Sequence, residues 1–172
     1  MTDERETIDK AVKATTVKTG KYLTFSLAEE EYGVGILKVK EIIGMMPITS
    51  VPRTPDFIKG VINLRGKVIP IVDLRLKFGM ESIPYDERTC IIVVEIDTDS
   101  ATVSIGIVVD SVSEVLNIGE DDIEETPAFG TKLDTNYILG MAKIEGGVKI
   151  LLNIGKVLSG EEISSLETVA KG

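Results

Sequence analysis

The sequence predicts an all-β protein made of two small, related β-barrel units that share a hydrophobic core, with a short helix at the C-terminal end. Three observations carry this expectation. Apolar and polar residues alternate in many short runs bounded by Gly and Pro turns. No long helical periodicity alternates with those runs, which argues against a parallel sheet. The chain also repeats itself, in a form that implies duplication of one β unit.

Taken in order, residues 1–20 are polar and rich in Thr and Lys, as expected of a flexible lead-in. From Tyr22 the pattern changes: Tyr22, Thr24 and Ser26 alternate with Leu23, Phe25 and Leu27, a strand pattern. A turn is expected at Ala28-Glu29-Glu30-Glu31, with extended chain resuming over residues 32–37. Residues 39–43 fit a strand or a short helical turn, and periodicity does not separate the two. Pro47, Pro52 and Pro55 predict an unpaired loop over residues 47–57. Two β runs, 60–64 and 67–73, flank Arg65-Gly66 as a compact hairpin. Residues 90–96 and 103–109 are two further strands, with turn chemistry at Asp97-Thr98-Asp99-Ser100 between them. Only the stretch from Gly160 to Glu167 looks helical, with Ser159 placed to cap it and Glu162 three residues later.

The repeat aligns Gly60-Val61-Ile62-Asn63-Leu64-Arg65-Gly66-Lys67-Val68 with Gly140-Met141-Ala142-Lys143-Ile144-Glu145-Gly146-Gly147-Val148. Ile71-Val72-Asp73-Leu74 then falls over Leu151-Leu152-Asn153-Ile154. Upstream, Val34-Gly35-Ile36 matches Ile105-Gly106-Ile107, and Val39-Lys40-Glu41-Ile42 matches Val112-Ser113-Glu114-Val115. The expected division is a lead-in over 1–20, one barrel over 21–80, a second over 81–158, and a helix and tail over 159–172. Each half is small enough that a shared interface is needed to bury sufficient surface.

Composition narrows the function. Asp and Glu number 28 against 19 Lys and Arg, a net charge of −9, which disfavours nucleic acid and anionic lipid. No apolar run approaches the ~20 residues of a membrane span, so no direct membrane insertion is expected. The charged N-terminus shows no secretory signal, and a single cysteine fits a reducing cytoplasm. The chain has no His, which removes the commonest general base and nitrogen metal ligand. Cys90 opens an apolar run, where a small core residue is a plainer reading than a nucleophile. Gly33-Val34-Gly35 is a bare GxG that fits a tight strand, and Glu120-Asp121-Asp122-Ile123-Glu124-Glu125 lacks calcium-loop spacing. No catalytic residue, metal site or cofactor is expected. A metabolite-binding cleft between the units is the competing reading, and the 5% aromatic content with no Trp weighs against it.

Asn63-Leu64-Arg65-Gly66 remains singular. Gly66 suits a turn with positive φ and Asn63 can cap it, but the repeat carries Glu145 where Arg65 stands, so the turn does not demand Arg. Arg65 either recognises a carboxylate on a partner or pairs internally, with Glu41 the candidate.

Together, Tyr22-Leu23-Thr24-Phe25, Glu31-Tyr32-Gly33, Ile36 through Ile42, Thr54 through Gly66 and Pro70-Ile71-Val72-Asp73-Leu74-Arg75 resemble the CheW family of chemotaxis coupling proteins. Gly106-Ile107-Val108-Val109-Asp110-Ser111-Val112 and Leu151-Leu152-Asn153-Ile154 agree, so the resemblance covers about residues 20–168. It implies two SH3-like, five-stranded barrels and a cytoplasmic adaptor recruited to membrane receptor arrays. The partners implied are the cytoplasmic hairpin tip of methyl-accepting chemotaxis receptors and the regulatory domain of the histidine kinase CheA. Carried over by motif, the receptor surface falls in the groove between barrels on Val39, Glu41, Lys59, Gly60, Asn63, Arg65 and Gly66. The kinase contact is expected at region level around Val108, Val109 and Val112. A fused relative would need a receiver domain, and the kinase a phosphoacceptor His, so a free-standing coupling protein is the expected form.

Overall fold

The structure, a computed structural model, describes residues 20–98, 101–124 and 137–171. Residues 1–19, and with them nearly all of the expected lead-in, lie outside the described residues. Strands β1 (Gly20–Leu27) and β2 (Glu30–Gly35) form a hairpin through Ala28 and Glu29, both at positive φ (50° and 74°). The turn is thus two residues wide, and Glu30 and Glu31 already belong to β2. A 3-10 turn (Ile36–Lys38) leads into β3 (Val39–Gly44), so the ambiguous stretch is a strand. Then come β4 (Ile58–Leu64), β5 (Lys67–Asp73) and the one-turn α1 (Leu74–Lys77). The second half supplies β6 (Cys90–Asp97), β7 (Thr102–Val109), β8 (Ser111–Ile118), the two-residue β9 (Ile123–Glu124), β10 (Ile138–Ile144) and β11 (Gly147–Leu152). It ends in α2 (Ile154–Val157) and α3 (Gly160–Lys171).

The strands form two sheets, ordered β8-β1-β2-β11-β10-β9 and β3-β6-β7-β5-β4. The all-β class is as the sequence predicts, with one sheet of five strands and one of six rather than five in each. The halves of the chain are exchanged between them. The six-stranded sheet takes β1 and β2 from the first half and the rest from the second, whereas the five-stranded sheet inserts β6 and β7 between β3 and β5. Residues 21–80 and 81–158 are therefore copies of a repeat and not separate barrels.

Strand register shows the repeat directly. Gly60 lies opposite Ile71 and Gly140 opposite Leu151, each after a bulge that follows Ile58 or Ile138. Ile71 pairs in parallel with Gly106, and Leu151 with Gly33. Gly33 and Gly106 are thus counterparts, and the upstream alignment of Gly35 with Gly106 is two residues out. A two-residue slip keeps every side chain on its own face, so alternation alone cannot detect it. The alignment of Val39 with Val112 holds, since both follow their matched glycine by six residues and pair with the matched residues Val94 and Phe25.

Each sheet also returns toward its starting strand. Thr49, in the loop after β3, exchanges backbone bonds of 2.8 and 2.9 Å with Val61 on β4 at the far edge, so part of the 47–57 loop is paired after all. β9, which follows β8, does the same against β10.

Three apolar cores result. Ile62, Ile69, Ile71, Ile91, Val93 and Val108 fill the five-stranded sheet, and Tyr22, Ile118, Ala142 and Leu151 the six-stranded one. The largest core lies between the sheets and draws Leu23, Phe25, Val34 and Leu152 from one, and Val72, Ile92, Val94 and Ile107 from the other. Helix α3 adds the fully buried Leu166 to it. Its start is a capping box as the sequence predicts: Glu162 N–H donates to Ser159 Oγ (3.1 Å) and Ser159 N–H to Glu162 Oε1 (2.7 Å).

Candidate functional site

The β4–β5 turn places Arg65 and Gly66 at φ 54° and 86°, the doubly left-handed conformation of a tight hairpin turn. Its counterpart in the repeat, Glu145-Gly146, is nearly identical at 50° and 80°, so the geometry belongs to the duplicated fold and the side chain at its tip is a separate matter. Asn63 braces the turn, its Oδ1 accepting the Gly66 N–H at 2.8 Å. The Arg65 guanidinium donates to Glu41 Oε1 on β3, while its side chain stays 69% exposed against 26% for Glu41. The two readings of Arg65 are thus compatible: it is paired internally, and most of its surface remains open to a partner. An ion pair this exposed contributes about 0–1 kcal/mol to stability, so the arrangement orients the guanidinium more than it secures the fold.

Glu41 follows a bulge in β3 between Val39 and Glu41, and this bulge recurs at the matching place in β8. Val39 is half-buried and packs on the shared core, while Ile42 is 44% exposed. Gly60 sits at the other end of β4 and is structural. It is buried at φ 140°, and a Cβ there would run into the Thr49 carbonyl oxygen. Lys59 beside it is half-buried. Of the seven residues expected on the receptor surface, Glu41, Asn63, Arg65 and Gly66 therefore meet at one corner, Val39 adjoins it, and Lys59 and Gly60 lie along β4 from it.

Two of the three residues expected at a kinase contact need correction. Val108 and Val109 are only 3% and 1% exposed, in the five-stranded and shared cores respectively, and have no surface to offer. Val112 is half-buried against the shared core. The apolar strand that drew attention in the sequence is apolar because it is interior.

Sequence reasoning passed over Leu37, which is 96% exposed in the 3-10 turn. It stands between a half-buried Ile36 and Lys38, and at a turn the alternation that separates inside from outside is lost. It also passed over a polar clasp between the sheets. Arg75 on α1 grips Asp110 with two hydrogen bonds, Nε to Oδ1 at 2.7 Å and a terminal nitrogen to Oδ2 at 2.6 Å. Asp110 Oδ2 also accepts the Ala28 N–H at 2.9 Å. Burial raises the Asp110 carboxyl, but the Arg75 and Ala28 hydrogen bonds and the guanidinium charge prevail and hold it below the ordinary carboxylate range. At the same end, Asp73 is 2% exposed, caps α1 and accepts a 2.8 Å bond from Tyr85 Oη. Burial and that bond raise the Tyr85 hydroxyl.

Among the described residues no group of three or more Cys, Asp or Glu is placed to hold a metal ion, and no helix is long and apolar enough to cross a membrane.

A family model described as the CheW-like domain matches residues 21–162, which takes in both sheets, the Arg65 turn and the clasp. The chain belongs to the CheW-like family. It is 45% identical over 150 residues to the chemotaxis protein CheW of Klebsiella aerogenes, covering 87% of this chain and 88% of that one. The chemotaxis protein CheW of Rhizobium meliloti is 34% identical over 140 residues, 81% of this chain and 88% of its own. Among solved structures, the scaffolding protein TtCheW from Thermoanaerobacter tengcongensis superposes with a TM-score of 0.74 at 38% identity, over 84% of this chain and 95% of that one. This kinship supports the role of a chemotaxis scaffold or adaptor.

Proposed function

We propose that this CheW-like chain couples the cytoplasmic tips of chemoreceptors to the histidine kinase CheA without catalysing a reaction itself. The observation that carries this reading is the Arg65 corner: a guanidinium held at the tip of a braced turn, oriented by Glu41 and mostly exposed. Such a corner suits a partner that offers a carboxylate. Receptor contact is assigned to Glu41, Asn63, Arg65 and Gly66, flanked by Val39, Lys59 and Gly60. A kinase contact near β8 falls to Val115, which is 50% exposed on that strand, since Val108 and Val109 are interior. The protein works in the cytoplasm and is drawn to the membrane by its receptor. Signal passes as a difference in affinity between receptor states, and the repeated geometry of an array strengthens individually weak contacts.

Co-sedimentation with receptor-containing membranes, with and without CheA, tests this. Wild type is expected to pellet with receptors and to bring kinase with it. Arg65→Ala is expected to keep its melting temperature within a few degrees while losing about tenfold in receptor affinity. A folded wild-type protein that binds neither partner overturns the reading.

A further inference from the structure

The C-terminal segment crosses from one sheet to the other. The chain leaves the six-stranded sheet at Leu152, after which α2 packs against β6 and α3 against β5, both strands of the five-stranded sheet. Along this path Ile154, Val157, Leu158 and Leu166 are buried in the shared core, and Ile163 packs against it half-buried. The segment is a strap over the seam between the sheets. Residues 78–88, which follow α1 at the matching place in the repeat, form no helix.

Helix α3 does not stand on its own propensity. It has 12 residues, a length at which an isolated helix is marginal, and Gly160, Ser164, Ser165, Thr168 and Val169 are weak helix formers. Among its described side chains only Ile163 and Leu166 reach the shared core. What closes the strap is a cation from the first half of the chain. Lys77 on α1 donates to Glu162 Oε1 and Oε2 at 2.8 and 2.7 Å, and the same ammonium lies 4.6 Å from the centre of the Phe57 ring ahead of β4. Glu162 Oε1 also accepts the Ser159 N–H, so the latch and the start of the helix form together. The duplicated fold does not demand this lysine. Its counterpart, counted from Leu74 over Ile154, is Val157, which goes straight into the shared core.

We propose that α3 is a charge-latched strap that opens as a unit while both sheets stay folded. Both sheets are complete at Leu152, so α3 can leave without breaking an interstrand bond. Leaving breaks the Lys77–Glu162 pair, withdraws Leu166 and Ile163 and uncovers the shared core along the seam. The chain then has a minor open form with apolar surface that the closed form hides. This inference is independent of what the protein binds.

The test is native-state amide exchange of the full-length protein in rising urea, for wild type, Lys77→Met and Lys77→Arg. Methionine keeps an aliphatic stem and removes the charge, whereas arginine keeps a cation for Glu162 and Phe57. In wild type the α3 amides are expected to exchange as one group, about a hundredfold faster than those of β6 and β7. Their urea dependence should be weaker, because opening the strap exposes less surface than unfolding. Lys77→Met is expected to speed that group about tenfold, and Lys77→Arg to hold it near the wild-type rate. If the α3 and sheet amides follow one urea dependence from the start, α3 opens only with the whole molecule and the strap is overturned. If α3 opens early but Lys77→Met leaves its rate unchanged, or Lys77→Arg speeds it equally, the charge latch is overturned and packing of Ile163 and Leu166 alone holds the helix.

Discussion

Arg65 occupies a left-handed conformation that Gly would adopt without strain, and the fold displays a long charged side chain there at some cost in backbone energy. The Asn63 side-chain oxygen Oδ1 offsets part of that cost by accepting the Gly66 N–H. Asn63→Ala should therefore lower stability by about 1 kcal/mol and loosen the turn that aims Arg65, seen as a small drop in melting temperature with a larger drop in receptor affinity. Gly60 and Gly66 both came from the same motif, yet residue-scale geometry separates them. A methyl at Gly60 meets the Thr49 carbonyl at φ 140°, whereas a methyl at Gly66 meets nothing. Gly60→Ala should cost about 1–3 kcal/mol in thermal or urea unfolding, and Gly66→Ala about 1 kcal/mol or less. Asp110 gives a pH signature. Its folded-state carboxyl titrates below the ordinary value, so its contribution is fully present above the unfolded pKa near ~3.9 and disappears as pH falls through the lower folded value. Asp110→Asn should then be less stable than wild type by about 2 kcal/mol at pH 7, with the two melting curves converging as the pH falls below the ordinary carboxylate range. A gap of constant size throughout that fall would mean that Asp110 acts through packing and not through its charge.

At the scale of elements, the C-terminal helix joins several devices. Glu162 closes the capping box with Ser159 and also receives the Lys77 ammonium at 2.7 and 2.8 Å, while that ammonium sits 4.6 Å from the centre of the Phe57 ring. Burial raises the Glu162 carboxyl, but the bonds from Lys77 and Ser159 and the Lys77 charge hold it low. Glu162→Ala should cost about 1–2 kcal/mol and raise amide exchange in α3 before it raises exchange in the sheets. This element was legible in the sequence because its signals are local: a Ser, a Glu three residues on, then apolar residues at helical spacing. The Arg65 hairpin was legible for the same reason. What escaped lies in relations between distant residues. Nothing in Thr49 announces a bond to Val61, and nothing in Ala28-Glu29 announces two positive φ angles, since neither residue is Gly or Asn. Register slipped by two because the β period is two, and Val108 and Val109 looked like surface because an apolar strand does not say which layer it occupies.

For the whole molecule, the exchange of hairpins decides how stability is distributed. The repeat was visible in the sequence, and it suggested two consecutive barrels; the pairings instead weave each sheet from both halves. A break in the exposed 81–88 segment would leave the first half with β1 and β2 lacking β8 and β11 on either side, and with β3 and β5 lacking β6 and β7 between them. The second half would be depleted in the same way, and the shared core, which draws on both halves, would be open to water in each. Neither fragment could then bury enough apolar surface to offset its chain entropy. Fragments 20–80 and 81–172, expressed separately, should each show the circular dichroism and amide exchange of unfolded chains. Mixed in equal amounts, they should regain β structure and the binding of the intact protein, because every interstrand bond is recovered without the linking peptide. Consecutive barrels would behave otherwise: each fragment would fold alone and melt independently. A folded, cooperatively melting 20–80 fragment would therefore refute the exchanged topology, and reconstitution only on mixing would show that the two sheets form a single cooperative unit.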